Sequence, residues 1–362
     1  MCHDEYQHSA LNKSISTPER EASDMTDCIV TGGAGFIGGH LTERLVADGH
    51  RVTVIDNFAN GRANDLAGLK GHPGFSLVEA DVVDYEKIAP LFKGADWIFH
   101  LAAMADIVPS IENPILYHRA NVDGTISVLE AARAAGAKRF VYAASSSCYG
   151  IPDIYPTPEA SEPRPMYPYA LTKYLGEQYV MHWYQTYSLP TVSLRFFNVF
   201  GPRHRTTGTY GAVFGVFLAQ KLAGEPFTVV GDGAQTRDFT FVSDIVDSLV
   251  MSAQSDVVGE IMNVGSDNTY SVNRLTELLG GAVTHIPKRP GEPDCTYADI
   301  SKIKRLLGWE PRVKFEDGVA VMLENIDYWR DAPVWTPKTI DAATKTWFDH
   351  LDDSNGPDGE SK

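Results

Sequence analysis

Cysteine is scarce in this chain of 362 residues. Cys2, Cys28, Cys148 and Cys295 stand far apart with no Cys-x-x-Cys pair, which argues against a zinc module or a disulfide framework and fits a reducing cytosol. Basic residues are also in short supply, 31 Lys and Arg against 47 Asp and Glu, for a formal net charge of −16. That balance excludes nucleic acid and anionic lipid as partners held by bulk electrostatics. An anion would have to be held by a few placed arginines and oriented backbone amides. No apolar stretch approaches the roughly 18–20 residues of a membrane helix. The N-terminus has no basic segment followed by an apolar one, so neither a membrane partner nor a secretory signal is expected and the chain reads as cytoplasmic. His100 and His182 have no partner at ligand spacing, so no metal is expected and both read as packing or surface residues. Internal repeats and low-complexity core segments are missing too.

With 43% hydrophobic and 22% charged residues, the chain can bury a substantial core. Its length predicts two domains, or one large α/β unit with an appendage. Residues 1–24 and 352–362 are polar and aperiodic and read as flexible extensions that bury too little apolar surface to offset their ordering entropy. Between them, β-rich runs at 28–31, 51–56, 75–80, 96–102 and 139–145 alternate with amphipathic segments such as 36–48, 84–93 and 121–135. That alternation implies a parallel sheet wound with right-handed crossovers. After the run 191–201 the rhythm loosens into loops, a short strand at 227–230 and helices near 211–223, 243–253 and 315–330, which suggests a second, smaller α/β region.

The first apolar run ends in TGGAGFIGGH, placing Gly32, Gly35 and Gly38 at three-residue intervals just before the helical segment 36–48. Glycines here permit a tight turn, let the backbone approach a pyrophosphate and allow close helix–strand packing, while the helix N-terminus offers free N–H groups to phosphates. A lone glycine triplet is weak. It gains weight from the strand before it, the helix after it and Asp56 at the end of the next strand. A carboxylate there hydrogen-bonds ribose hydroxyls and repels a 2′-phosphate, so the expected cofactor is NAD rather than NADP. The fold class expected is therefore α/β: a Rossmann-type doubly wound parallel sheet over 25–190, and a smaller substrate-binding α/β domain over 191–351, partly interleaved with the first.

Tyr169 and Lys173 lie at i, i+4 in a segment that reads as a helix entered from Pro168, which puts phenol and ammonium on one face. A nearby cation stabilises phenolate and lowers the tyrosine pKa, fitting Tyr169 as a general base towards a sugar or alcohol hydroxyl. Alone, such a pair is common on surface helices. The glycine fingerprint, and the run Ser145, Ser146, Ser147 at the carboxyl end of the fifth strand, make it a catalytic candidate, because sheet ligands bind beyond the carboxyl ends of strands.

TGGAGFIG, HLAA (100–103), NVDGT (121–125), AASSSCYG (143–150), Tyr169-x-x-x-Lys173, RFFNVFGPR (195–203), GDGAQTRDFTFVSDIV (231–246) and RPGEPDCTYAD (289–299) occur in that order. Together they resemble the extended short-chain dehydrogenase/reductases, and within them the nucleoside-diphosphate-sugar epimerases of the UDP-glucose 4-epimerase type, over about residues 26–330. The resemblance implies Tyr169 as base, Lys173 as the group that orients it and binds the nicotinamide ribose, and Ser145, four positions before Tyr149, as the hydroxyl that shares the proton. It implies Phe36 and Ile37 beside the glycines, Asp56 and Asn57 at the adenosine ribose, Asp81 and Val82 at the adenine, and Leu101, Ala102, Ala103 and Asn121 along the cofactor. Ser147, Asn198, Arg237, Arg289, Glu292 and Thr296 fall at substrate positions: Asn198 and Arg237 at the diphosphate, Arg289 a second cation, Glu292 at the nucleotide ribose. Two arginines suit a diphosphate inside an acidic protein. The plain alternative for Arg237 is an ion pair with Asp238.

The activity so implied is 4-epimerisation by transient oxidation: Tyr169 withdraws the C4 proton while hydride passes to NAD, and the keto sugar then takes hydride back on its other face. Dehydratase relatives carry Asp and Glu where Ser146 and Ser147 stand, and decarboxylase relatives a Glu at Ser147, which disfavours both reactions. A 4-epimerase of UDP-glucuronate is another reading of the same machinery, and a non-catalytic NAD-binding scaffold a distant one. Epimerases restricted to plain hexoses carry a tyrosine at the place of Thr296, so this small residue suggests room for a C2 acetamido group. Ala105 and Ala144 depart from the lysine and serine of the galactose-type enzymes. Helices 121–135 and 169–187 have wide apolar faces; in relatives two such helices pair across a two-fold, so a homodimer with a four-helix interface is expected.

Overall fold

Consecutive residues such as Ile29 and Val30, or Val54 and Ile55, are all buried, which a strand permits only when both faces of its sheet are covered. The computed structural model describes residues 25–204 and 212–351. The two expected flexible extensions lie outside the described residues, as does position 211 at the start of an expected helix.

In chain order the first half runs β1 Asp27–Thr31, α1 Phe36–Ala47, β2 Arg51–Asp56, β3 Phe75–Glu79, α2 Tyr85–Ile88, β4 Trp97–His100, α3 Ile107–Glu112, α4 Pro114–His118, α5 Gly124–Ala135, β5 Arg139–Ser145 and α6 Pro168–Tyr187. It continues with β6 Thr191–Phe196, β7 Asn198–Phe200, α7 Val213–Ala223, β8 Phe227–Val230, β9 Thr236–Arg237, β10 Phe239–Phe241 and α8 Val242–Gln254. The last part is β11 Glu260–Val264, β12 Tyr270–Ser271, α9 Val272–Leu279, β13 Val283–Ile286, α10 Ser301–Leu307, α11 Phe315–Glu324 and α12 Pro337–Leu351.

Seven of these strands form one sheet in the spatial order β11-β6-β5-β4-β1-β2-β3, and all six pairings in it are parallel. Leu41 and Leu45 of α1 and Ile245 and Leu249 of α8 cover one face. Val128 and Leu129 of α5 and Val180 of α6 cover the other. This is the Rossmann-type doubly wound arrangement. Strand order reverses beside β1, which pairs with both β2 and β4, and ligands of open α/β sheets lodge at that switch point. Residues 191–196 and 260–264, beyond the expected boundary at 190, supply the strands β6 and β11 of this same sheet. The second region adds three two-stranded pairs, β7 with β10, β9 with β12 and β8 with β13, around an aromatic core of Phe200, Phe214, Phe227, Phe239, Phe315 and Trp329.

Several expected elements break where a local cause intervenes. The segment 84–93 is α2 followed by a 3₁₀ turn at Ala89–Phe92, because Pro90 has no N–H to continue the α-helical ladder. The run 191–201 splits at Phe197, whose N–H bonds to Val264 O at 3.1 Å, so that β7 turns away to pair with β10. Helix α12 lies beyond every helix read from the sequence. Its buried side chains are Ile340, Thr344 and Trp347 alone, too narrow a stripe to announce itself.

Helix α6 is anchored to the sheet by charge as well as apolar contact. Glu177 and Arg195 are both nearly inaccessible, with Arg195 Nη2 2.6 Å from Glu177 Oε1; Arg195 Nε and Ser193 Oγ each donate to Glu177 Oε2 at 3.0 Å. The guanidinium also lies over the Tyr149 ring at 4.8 Å. Removing one member strands a buried charge. Glu177→Ala should therefore lower the unfolding free energy by roughly 3–5 kcal/mol in a denaturant titration; a loss below about 1 kcal/mol, as for an exposed pair, would show the pair to be dispensable.

Candidate active site

The turn from β1 into α1 admits almost nothing but glycine. Gly32 has φ of +69°, and a Cβ on it would meet Ala102 N at 2.7 Å; a Cβ on Gly38 would sit 2.1 Å from Gly32 O. The first glycine thus lets the β4 loop close on the turn, and the third lets the helix close on it. Helix α1 starts at Phe36 with Gly35 as N-cap and no side-chain capping bond, so its first N–H groups, which have no intrahelical partners, are left for a ligand. Phe36, Ile37 and Gly38 line a cavity of about 690 Å³ there.

Asp56 stands at the end of β2 on the same cavity. Its Oδ2 accepts from Ala34 N at 3.0 Å and its Oδ1 from Phe58 N at 2.8 Å, so it also holds the glycine turn against its own strand. Burial pushes its carboxyl up, against the pull of those two bonds. Asn57 donates to Asp81 Oδ2 at 3.0 Å. Asn57, Asp81 and Val82 line one end of the cavity, and Leu101, Ala102 and Ala103 follow β4 along its floor.

Asn121 and Lys173 stand behind this wall rather than on it. Asn121 accepts from Met104 N at 2.8 Å and donates to Met104 O and Thr172 Oγ1, both at 3.0 Å. Its amide is engaged in tying the β4 loop to α6. The Lys173 ammonium lies 4.2 Å over the Tyr142 ring, and desolvation brings its pKa down to about 7 although Glu177 opposes the shift. Tyr169 does line the cavity, and burial pushes its phenol up, against the pull of Ser145. Burial of the phenol thus acts against the downward shift expected beside Lys173, whose ammonium is directed to the Tyr142 ring. Ser145 Oγ and Ser147 Oγ are 2.9 Å apart, both on the cavity together with Ser146.

The second region supplies the opposite wall. Thr296 Oγ1 donates to Asn198 Oδ1 at 2.7 Å and accepts from Asp238 N at 3.1 Å, which orients the Asn198 amide. Arg237 does not pair with Asp238. It donates to Glu292 Oε1 at 2.8 Å, while Asp238 takes backbone N–H groups from Ser266 and Ala298 and is pushed up to about 6 by burial. Arg289 Nε lies 3.4 Å from Glu292 Oε2, so one carboxylate spans two guanidinium groups. His100 is a structural clip: its ring nitrogens lie 2.7 Å from Thr31 Oγ1 and 3.0 Å from Thr125 Oγ1, and burial depresses its pKa to about 3. Four lining residues carry no local signal in the sequence: Tyr167, His204, Trp335 and Trp347.

Residues 29–322 match the family model described as GDP-mannose 4,6 dehydratase. The chain is 37% identical over 305 residues to a UDP-glucose 4-epimerase of Mycolicibacterium smegmatis, covering 82% of this chain and 97% of that protein. Its fold is similar to that of a UDP-N-acetylglucosamine 4-epimerase from Methanobrevibacter ruminantium M1 in complex with UDP-N-acetylmuramic acid, with TM-score 0.80, 32% identity and coverage of 84% and 99%. It is similar as well to a UDP-glucuronic acid 4-epimerase from Bacillus cereus in complex with UDP-glucuronic acid and NAD, with TM-score 0.78, 30% identity and the same coverage. Among the described residues, no helix is long and apolar enough to cross a membrane.

The buried Lys173 makes a signed prediction about pH. Its folded pKa lies below its ordinary 10.5, so between about 7 and 10.5 the unfolded chain binds the extra proton and stability rises with pH, by at most about 1.4 kcal/mol per unit. Subtracting the unfolding free energy of a Lys173→Met variant, measured from pH 6.5 to 9, should leave a difference that climbs with pH in favour of the native chain. A flat difference would show that this amine is not depressed.

Proposed function

This chain belongs to the extended short-chain dehydrogenase/reductases of the GDP-mannose 4,6 dehydratase family, and we propose that it interconverts UDP-linked sugars at C4 with NAD as a resident cofactor. One observation carries the reading. A single cavity runs from the glycine turn and Asp56, past Ser145 and Tyr169, to Arg237, Glu292 and Arg289, which joins the residues assigned to the dinucleotide to those assigned to the diphosphate sugar and supports Tyr169 as the group between them.

The residues present fit NAD. Helix α1 has Gly35 as its N-cap with no side-chain capping bond, which leaves its first amides for a pyrophosphate, and Asp56 disfavours a 2′-phosphate on the adenosine ribose. Asn57, Asp81 and Val82 bound the adenosine end, and Leu101–Ala103 the stretch between. When bound, NAD supplies a hydride acceptor that returns what it takes. Tyr169 removes the proton from the C4 hydroxyl and gives it back, and Ser145 hydrogen-bonds the same oxygen, with Ser147 as its partner. Lys173, one turn along α6 from Tyr169, is the residue we assign to orienting the base and holding the nicotinamide ribose. Arg237 and Arg289 offset the diphosphate, Glu292 holds both guanidinium groups and faces the nucleotide ribose, and Asn198 is aimed by Thr296.

The hydroxyls of Ser146 and Ser147 are no substitute for the carboxylates that eliminate water or carbon dioxide, which favours simple epimerisation. Thr296 leaves room where a tyrosine would stand, and the likeness to an epimerase of UDP-N-acetylglucosamine supports an acetamido sugar as substrate. We infer further that the enzyme works in the cytoplasm as a homodimer joined through α5 and α6; Leu171, Tyr179 and Tyr187 on α6 are exposed apolar groups available for that contact.

Purified protein given UDP-N-acetylglucosamine without added NAD should yield the C4 epimer with no net absorbance change at 340 nm. Tyr169→Phe should cut kcat by about 10²-fold or more with NAD affinity unchanged. Stoichiometric NADH, or a fully active Phe variant, would overturn the assignment. Thr296→Tyr should lower kcat/KM for UDP-N-acetylglucosamine about ten-fold relative to UDP-glucose, the scale of a lost pocket fit; an unchanged ratio would remove Thr296 from specificity.

A further inference from the structure

Helix α12 lies wholly past residue 322, where the match to the family model ends, yet it completes the wall of the site. One end is tied to the second region. Ile340 packs with Trp329 and Ala332 in the aromatic core, and Trp335 O, just before the helix, accepts from Gln220 Nε2 at 2.7 Å. The other end reaches the first region, where Thr346 Oγ1 donates to Glu112 Oε1 of α3 at 3.2 Å. Ile107 and Val108 of α3 line the cavity, as do Trp335 and Trp347. The helix is thus a strap laid from one region to the other across the substrate side of the cavity.

Trp347 is where the strap meets the chemistry. Its indole N–H donates to Pro290 O at 2.7 Å, and the Arg289 guanidinium lies over its ring at 5.3 Å. One side chain therefore holds both the backbone and the cation of the loop that carries Arg289 and Glu292. The ring also meets Tyr167 at 6.4 Å, and Tyr167 stacks on Tyr169 at 6.4 Å with the planes 8° apart. Trp347 is only 5% exposed, so its contact with the guanidinium is desolvated, the condition under which a cation over an indole face is strongest. A free arginine has many rotamers to lose when it grips a phosphate; one already seated on an aromatic plane loses fewer.

We propose that Trp347 is a positioning residue for the diphosphate of the substrate: the strap α12 seats Arg289 on an indole face and closes the nucleotide-sugar end of the cavity. This rests on the reading of Arg289 and Arg237 as diphosphate contacts. The role belongs to the π face, so substitution should separate aromatic from merely bulky side chains.

The test measures UDP binding by calorimetry, together with KM, kcat and melting temperature, for Trp347→Phe, Trp347→Leu and Trp347→Ala in the full chain. UDP affinity should fall about ten-fold for Leu and Ala, the scale of a desolvated cation–π contact. Phe should stay within about three-fold of the native value, because it keeps a face for the guanidinium though it loses the bond to Pro290 O. KM should follow affinity, with kcat and NAD binding unchanged. Should the Ala variant fail to fold, the Phe and Leu pair decides the matter. Leu binding UDP as tightly as Phe would reduce Trp347 to packing and overturn the proposal. A native protein that binds NAD but no UDP would instead overturn the reading of the site on which it rests.

Discussion

Strand β1 is paired on both sides, to β2 and to β4, while α1 covers one face of the sheet and α5 and α6 the other. Chains leaving neighbouring strands for opposite faces open a crevice just beyond Thr31 and His100. The rest of the site depends on that gap. The glycine turn is shaped to keep it narrow at the bottom, with Gly32 against Ala102. Ser145 at the end of β5 and the start of α6 border it, and the second region lies over it with its arginines.

Burial is the leading cause of every large shift around this crevice: Lys173 down to about 7, His100 down to about 3, Asp238 up to about 6. A dry site strengthens each placed charge, and the chain spends its cations with matching care. Arg195 is consumed by Glu177, and Arg203 by Glu43. Arg237 and Arg289 share a single carboxylate. An acidic protein of net charge −16 can therefore hold diphosphates without attracting polyanions, because what counts is the charge facing the cavity and not the sum over the surface.

Most of the frame was legible from the chain. The strand boundaries at Arg51–Asp56, Arg139–Ser145 and Phe227–Val230 coincide with the β-rich runs, because a strand covered on both faces is rich in apolar and β-branched residues along its length. The glycine turn was legible for a related reason: positive φ and backbone contact leave few residues to choose from. Other features were hidden because they depend on what faces a side chain. Asn121 sits in the motif of a cofactor-binding loop, but its amide is engaged with Met104 and Thr172. Lys173 is on the expected face of α6, but Gly176 allows Tyr142 to approach the helix closely, and the ammonium lies on that ring. Helix α12 shows only Ile340, Thr344 and Trp347 to the interior, and nothing local marks a stripe that narrow.

The sequence by itself determined the alternation of strands and helices, the dinucleotide turn and the pairing of Tyr169 with Lys173 on one helix, since each is a matter of spacing or steric allowance within a few residues. Only the tertiary structure decided that Arg237 joins Glu292 rather than Asp238, that Thr296 aims Asn198, and that a tryptophan nearly sixty residues after Arg289 lies against its guanidinium. Those contacts form between segments far apart in the chain. They are selected by the burial of the whole, which sets which charges are left without water and which neighbours must make up the loss.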